Sequence, residues 1–63
     1  MKNPQVGETW LDKTGQRISI IKIAGGTHPV IGMNEKKVLV SYREDGLIHG
    51  PDFPQPKDLV RKV

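Results

Sequence analysis

The side chains that could bind a metal ion or act as acid–base groups are few in this sequence and lie far apart. The histidines are His28 and His49, and Asp45 and Asp52 are the carboxylates that could complete a mixed site with them. A metal site needs three or four ligands that converge. Because the two histidines fall in different segments, we predict no metal site. We expect His28 in a loop and His49 on the outer face of a strand.

The sequence also lacks the residues that nucleophilic catalysis or phosphate binding would require. The chain has no cysteine, and its serines, Ser19 and Ser41, lie inside predicted strands without a neighbouring histidine. The segment Gly25-Gly26-Thr27 lacks the Lys-Ser/Thr ending of a phosphate loop, and no helix is predicted after it. A small barrel, the fold predicted below, fills its interior with its own side chains. We therefore predict no catalytic residue, no cofactor and no enzymatic activity.

Length and composition indicate one small domain. The chain has 63 residues, with ten Lys and Arg against seven Asp and Glu, so its net charge is +3. We expect a single domain over residues 1–63, with a flexible N-terminus over residues 1–5. The longest apolar run, Val38-Leu39-Val40, is far too short to cross a membrane, and residues 1–4 carry no secretory signal. We expect a cytoplasmic protein without membrane contact.

Short runs rich in isoleucine and valine, separated by glycine and proline, predict an all-β fold. The predicted strands cover residues 8–13, 16–24, 36–43, 47–50 and 60–63. A long loop over residues 25–34 joins the second strand to the third, and Asp45-Gly46 marks a tight hairpin. Residues 57–59 are predicted to form a short 3-10 turn before the last strand. Five short strands in so small a chain favour a closed barrel, because closure leaves fewer bare strand edges.

The second strand changes its apolar phase in the middle. Ile18 and Ile20 share one face, whereas Ile21 and Ile23 share the other. We expect a β-bulge or sharp bend between Ile20 and Ile21, which would let both pairs reach one interior.

The order of strands and turns resembles the SH3-like small barrels, which include Tudor and KOW modules. It is also similar to the short barrels that are common in bacteriophage and prophage genomes. The residues that carry this likeness are Val6-Gly7-Glu8-Thr9-Trp10, Thr14-Gly15-Gln16-Arg17, Ile18-Ser19-Ile20, Val38-Leu39-Val40-Ser41-Tyr42, Asp45-Gly46 and Leu59-Val60. The resemblance implies a five-stranded SH3-like barrel that binds nucleic acid, peptides or other proteins. With three aromatic residues in all, the chain does not fit the aromatic cage of Tudor-type readers.

Three apolar residues in the predicted loop form the first candidate binding site. They are Val30, Ile31 and Met33, and apolar side chains are unusual in a Gly/Pro-containing loop. They could fold back over one end of the barrel, or they could form an adhesive loop in which Met33 adapts to a partner. We prefer a protein-interaction or regulatory adaptor, of the phage type, that grips a larger protein or complex.

Basic residues form the second candidate site, for DNA or RNA. Outward positions on neighbouring strands could merge into one basic face that attracts phosphate. Acidic residues are interleaved with the basic ones along the chain, so a mixed solvated surface is the plainer interpretation. Unpaired strand edges could also pair between two copies of the chain, so a homodimer is a further alternative. The candidate residues are Arg17, Lys22, Lys36, Lys37 and Arg43.

Trp10 is the largest apolar side chain, and we expect it in the core against Tyr42 or Val40, while Phe53 closes one end of the core. The alternative is an exposed binding position, from which Trp10, or Tyr42, could stack on a nucleic-acid base. Replacing Trp10 by alanine should then lower the free energy of unfolding by about 3–5 kcal/mol, because it leaves a large cavity. A urea titration followed by circular dichroism measures this loss. A loss below about 1 kcal/mol would show that Trp10 is a surface residue.

Overall fold

The computed structural model describes residues 3–63, which contain five β-strands. In chain order they are β1 (Thr9–Asp12), β2 (Arg17–Ile23), β3 (Val30–Met33), β4 (Leu39–Tyr42) and β5 (Leu59–Lys62). Within the N-terminal segment that we expected to be flexible, Met1 and Lys2 lie outside the described residues and Pro4 is buried.

The strands form one antiparallel sheet in the order β4-β3-β2-β1-β5. Strands β1 to β4 follow one another as hairpins, and the chain then returns so that β5 pairs with the outer side of β1. Residues 3–63 contain no helix, which confirms the all-β prediction. It follows that none of these residues belongs to a helix long and apolar enough to cross a membrane.

The strand β3 corrects the prediction of a continuous loop over residues 25–34. Backbone pairing on both sides defines it: Ile31 lies opposite Lys22 of β2 and opposite Ser41 of β4. At its start, the amide of Ala24 donates to the carbonyl of Pro29 at 2.6 Å. At its end, the Asn34 side chain accepts hydrogen bonds from the amides of Lys36 and Val38, which fixes a tight turn into β4.

Residues 47–50 do not form the predicted strand. A single backbone bond of 2.8 Å, from Arg43 to the carbonyl of Leu47, continues the hairpin after β4, and the chain then bends away. Residues 56 and 57 form a turn, and the predicted 3-10 turn over residues 57–59 is not seen because Leu59 already begins β5. Phe53 is 67% exposed, so it does not close the core.

The core lies on one face of the sheet and collects residues from all five strands. Its buried apolar side chains are Trp10, Ile18, Ile20, Val30, Tyr42 and Leu59. Val40 and Ile48 pack against this cluster. Every strand contributes through its alternate, inward-pointing positions. The predicted core role of Trp10 is confirmed, since it is only 3% exposed.

The pairing of β2 with β3 shifts register between Ile20 and Lys22. This confirms the predicted bulge, but not its predicted consequence. Ile21 and Ile23 are each 43% exposed, so only the first pair of isoleucines is buried. The bulge lies beyond the residues of β2 that pair with β1, and past it Ile23 lies opposite the core residue Val30.

Gly32 allows β3 to pass directly over the core. A methyl group at this position would lie 3.1 Å from Cε2 of Tyr42 and in collision with Cγ2 of Ile18. The packing of these two buried side chains therefore requires a residue without a Cβ atom.

Replacing Gly32 by alanine should destabilise the fold by about 1–3 kcal/mol, because the added methyl group overpacks the core. Gly25→Ala is the matched control, since a methyl group there meets no atom within 4 Å. Urea unfolding followed by the fluorescence of Trp10 measures both. Equal stabilities of the two variants would contradict the close approach at Gly32.

Candidate binding surface

The three residues of the apolar candidate site alternate between the two faces of β3. Val30 is 2% exposed and belongs to the core, so it is not available to a partner. Ile31 and Met33 point to the opposite face and are half-buried. The structure thus keeps two of the three residues at the surface, on a rigid strand rather than on a loop.

Leu39 joins Ile31 and Met33 on this outer face. It lies directly opposite Met33 in the pairing of β3 with β4 and is 59% exposed. Ile31 lies opposite Ser41 in the same pairing, two residues along. We call Ile31, Met33 and Leu39 the outer patch. Sequence analysis missed Leu39, although an apolar residue on the polar side of an alternating strand was an available signal.

Four of the five basic candidates border the outer patch. Lys22 lies opposite Ile31 on β2, Arg17 begins β2 on the outer face, and Lys36 and Lys37 form the β3–β4 turn. All four are exposed, and within residues 3–63 none has a carboxylate oxygen within 4.0 Å of its charged nitrogen. The patch is therefore apolar at its centre, and its border carries these four cations together with the exposed carboxylate of Glu35 in the β3–β4 turn.

Arg43, the fifth basic candidate, is directed elsewhere. Its guanidinium packs over Gly50, where a Cβ atom would collide with it, and its Nη2 lies 3.8 Å from Oδ2 of Asp45. This side chain is half-buried and supports the segment that follows β4, so it is not brought together with the other four.

The two histidines lie in different segments, and His28 contacts the residue that precedes His49. His28 is half-buried, with Nε2 at 2.7 Å from the carbonyl oxygen of Ile48 and Nδ1 at 3.0 Å from Oγ1 of Thr27. It thus ties the β2–β3 connection to the segment after β4. His49 is exposed beside Phe53. No three histidine or carboxylate side chains within residues 3–63 converge on a point that could hold a metal ion.

An open cleft of about 750 Å³ adjoins the β2–β3 connection. Gly25, Gly26 and His28 line one side of it, and Arg43 and Glu44 line another. Its lining carries charges of both signs, so the cleft shows no concentration of one chemistry.

Buried carboxylates hold the irregular segments that frame the sheet. Oδ1 of Asp58 accepts the amide of Ile48 at 2.8 Å, and Oδ2 accepts the amide of Gln55 at 2.9 Å and lies 3.5 Å from Nζ of Lys13. Burial alone would raise the pKa of Asp58. The two amide donors and the Lys13 ammonium outweigh burial and hold this pKa below its usual range.

Asp12 performs the same task at the β1–β2 turn. Its Oδ1 accepts the amides of Thr14 and Gln16 and the hydroxyl of Thr14, at 2.6–3.0 Å. This carboxylate is 3% exposed, and it replaces the backbone partners that a tight turn leaves without a bond.

The hydroxyl of Tyr42 is buried and has no hydrogen-bond partner within residues 3–63. Burial raises the pKa of Tyr42 to about 12, and the negative charges of Asp12 and Asp58 act in the same direction. The ring of Tyr42 fills the core, but its hydroxyl forms no hydrogen bond that would offset the cost of its burial.

Comparison of the chain with models of protein families, with curated proteins and with solved structures finds no match.

Tyr42 should make the fold sensitive to alkali. In the unfolded chain it ionises near pH 10, whereas the folded protein keeps its proton up to about pH 12. The contribution of the protonated Tyr42 side chain to the free energy of unfolding is fully present below pH 10. It is lost as the pH rises from 10 through 12, and the free energy of unfolding falls by about 1.4 kcal/mol per pH unit across that interval. Tyr42→Phe should remove this loss and leave stability at neutral pH unchanged or higher, by about 1 kcal/mol.

Two measurements test this expectation. Tyr42 is the only tyrosine, so the ultraviolet absorbance of tyrosinate reports its ionisation alone. Urea titrations of the wild type and of Tyr42→Phe from neutral to alkaline pH report stability. Ionisation at pH 10 in the folded protein, or an equal alkaline loss in both proteins, would contradict the burial of the hydroxyl.

Proposed function

We propose that this chain is a non-enzymatic binding module that grips a larger protein through the outer patch. The observation that carries the proposal is a set of three aliphatic side chains on two adjacent strands, on the face opposite the core, bordered by exposed cations. The partner surface that fits is apolar at its centre with acidic side chains around it. We expect its carboxylates to contact Arg17, Lys22, Lys36 and Lys37.

Physical chemistry supports an apolar contact at this position. Each square ångström of apolar surface removed from water contributes about 25 cal/mol, and Met33 adds a flexible side chain that adapts to an irregular partner. The patch is preorganised, because Val30 and Gly32 of the same strand are locked into the core. A rigid surface loses little conformational entropy on binding.

The cationic border contributes orientation rather than most of the affinity. Exposed charges attract an acidic partner over long range and speed its approach, but each exposed ion pair contributes only about 0.2–1 kcal/mol. Repulsion between the four cations and a basic protein would disfavour the wrong partner.

We further propose that the strands curve into an SH3-like barrel that stays open along β4. The amide of Leu59 donates to the carbonyl of Gly46 at 3.0 Å, so β5, which pairs with β1, meets the turn after β4 rather than β4 itself. The finer proposal of a small phage-type adaptor in a bacterial cytoplasm rests on the sequence resemblance alone.

Nucleic-acid binding is the second candidate function, and the four unpaired cations favour it. The positions of the aromatic residues argue against it. Trp10 and Tyr42, whose rings could stack on bases, are both buried, which leaves Phe53, exposed in the segment between β4 and β5, as the single Phe, Tyr or Trp ring available for stacking. Single-strand binders combine a basic groove with exposed stacking rings.

Capture from cells of the native host, with nuclease treatment and identification by mass spectrometry, tests the proposal. The captured protein is then purified, and its dissociation constant is measured for the wild type and for Leu39→Glu. Because a carboxylate would enter the apolar centre and face an acidic partner, we expect binding at least about tenfold weaker. Val60→Glu is the matched control, since Val60 is exposed on β5 at the other edge of the sheet.

The outcomes separate the two functions. A nuclease-resistant partner that Leu39→Glu loses and Val60→Glu retains supports the outer patch. Equal effects of both variants would place the contact elsewhere. Capture that nuclease abolishes, with affinity that falls steeply with salt, would favour nucleic acid instead.

A further inference from the structure

The two edges of the sheet differ in how they are protected against pairing. The β5 edge carries Arg61 and Lys62, and its pairing with β1 is interrupted by an irregularity between Leu11 and Asp12. Charges and bulges are the devices by which proteins block an exposed edge. The β4 edge, Leu39–Tyr42, has neither: it contains no charged residue, and its register with β3 is unbroken.

The backbone of β4 has groups available for a further strand. The amide of Asn34 donates to the carbonyl of Val38, so Val38 faces β3 in a hydrogen-bonded pair. Hydrogen-bonded and non-hydrogen-bonded pairs alternate along an antiparallel ladder. Leu39 and Ser41 therefore direct their amide and carbonyl groups away from β3, and both residues are exposed.

We propose that β4 pairs antiparallel with β4 of a second copy of this chain. If the two-fold axis passes beside Val40, Leu39 of each copy lies opposite Ser41 of the other. These are the residues whose backbone groups point outward, so the two pairs can exchange four hydrogen bonds. The resulting contact is isologous, as in most homodimers.

The charges on either side of β4 favour a second copy as the occupant. Lys36 lies in the turn before β4 and Glu44 in the turn after it, so antiparallel pairing about Val40 brings the turn that carries Lys36 of one copy beside the turn that carries Glu44 of the other. Both side chains are exposed, and neither has an ion-pair partner within residues 3–63. Lys37 would meet Arg43, but Arg43 is turned onto Gly50 and paired with Asp45.

The dimer would also enlarge the outer patch. Leu39 is the patch residue nearest the β4 edge, so the patches of both copies would lie side by side across the axis. The dimer does not depend on the proposed function, since its contacts are backbone bonds and charges along the edge. A strand of four residues gives a small interface, and we expect reversible association.

Sedimentation equilibrium of the full chain tests the proposal, with protein concentrations up to about 1 mM, where even weak association is populated. We expect the apparent mass to rise from monomer to dimer. Ser41→Pro should abolish this rise, because it removes an outward amide without removing a bond to β3. Val60→Pro on β5 is the control for proline at the other edge, and circular dichroism verifies the fold of both.

Charge exchange tests the register independently. Lys36→Glu and Glu44→Lys should each weaken self-association about tenfold, because like charges then meet across the axis. An equimolar mixture of these two variants should restore dimers, since each supplies the charge that the other lacks. No structural defect within one variant would be repaired by mixing.

Several outcomes would overturn the dimer: a monomeric mass at every concentration, self-association that survives Ser41→Pro, or charge variants that fail to associate on mixing. A monomer that still captures a protein through Leu39 would overturn the dimer and leave the proposed function standing. A dimer whose outer patch captures nothing would do the reverse.

Discussion

The close packing of β3 against Ile18 and Tyr42, made possible by Gly32, is the contact on which the rest of the structure depends. A chain of 63 residues buries a smaller fraction of its surface on folding than a larger domain does, so its few core side chains must be enclosed from several directions. Without a side chain at Gly32, β3 lies directly on the core. Its alternate residues, Ile31 and Met33, are then presented rigidly on the other face. The core and the proposed binding surface are two sides of the same strand.

Buried carboxylates extend this order to the segments without regular structure. Between β4 and β5 the chain runs through sixteen residues, 43–58, with no strand of its own. Asp58 holds both ends of the last part of this segment through amides of Ile48 and Gln55. An ionised carboxylate accepts such bonds more strongly than a neutral group does, which offsets the cost of its burial. Hydrogen bonds to a buried carboxylate thus add to the stability that a small apolar core provides.

The outer face of the sheet carries the side chains that alternate with those of the core. Polar residues occupy most outward positions, but Leu39 is exposed there and its neighbours on β3, Ile31 and Met33, are only half-buried, so apolar surface stays in contact with water. The same region has an edge strand without charges and a border of unpaired cations. A fold that protects β5 with charges and a bulge, yet leaves β4 bare, is consistent with an edge kept available for association.

The sequence by itself determined the all-β class, four of the five strands, the bulge after Ile20 and the burial of Trp10 and Tyr42. These features depend on local signals: β-branched residues, alternation, a phase change and turn residues. It also identified Ile31 and Met33, and four of the cations around them, but it could not assign them to one surface. Only the tertiary structure decided that Val30–Met33 is a strand, because a short segment between Pro29 and Asn34 becomes one by pairing with β2 and β4, distant partners that local patterns do not reveal. For the same reason residues 47–50, predicted as a strand, are bent away by a hydrogen bond to Asp58, ten residues further along the chain.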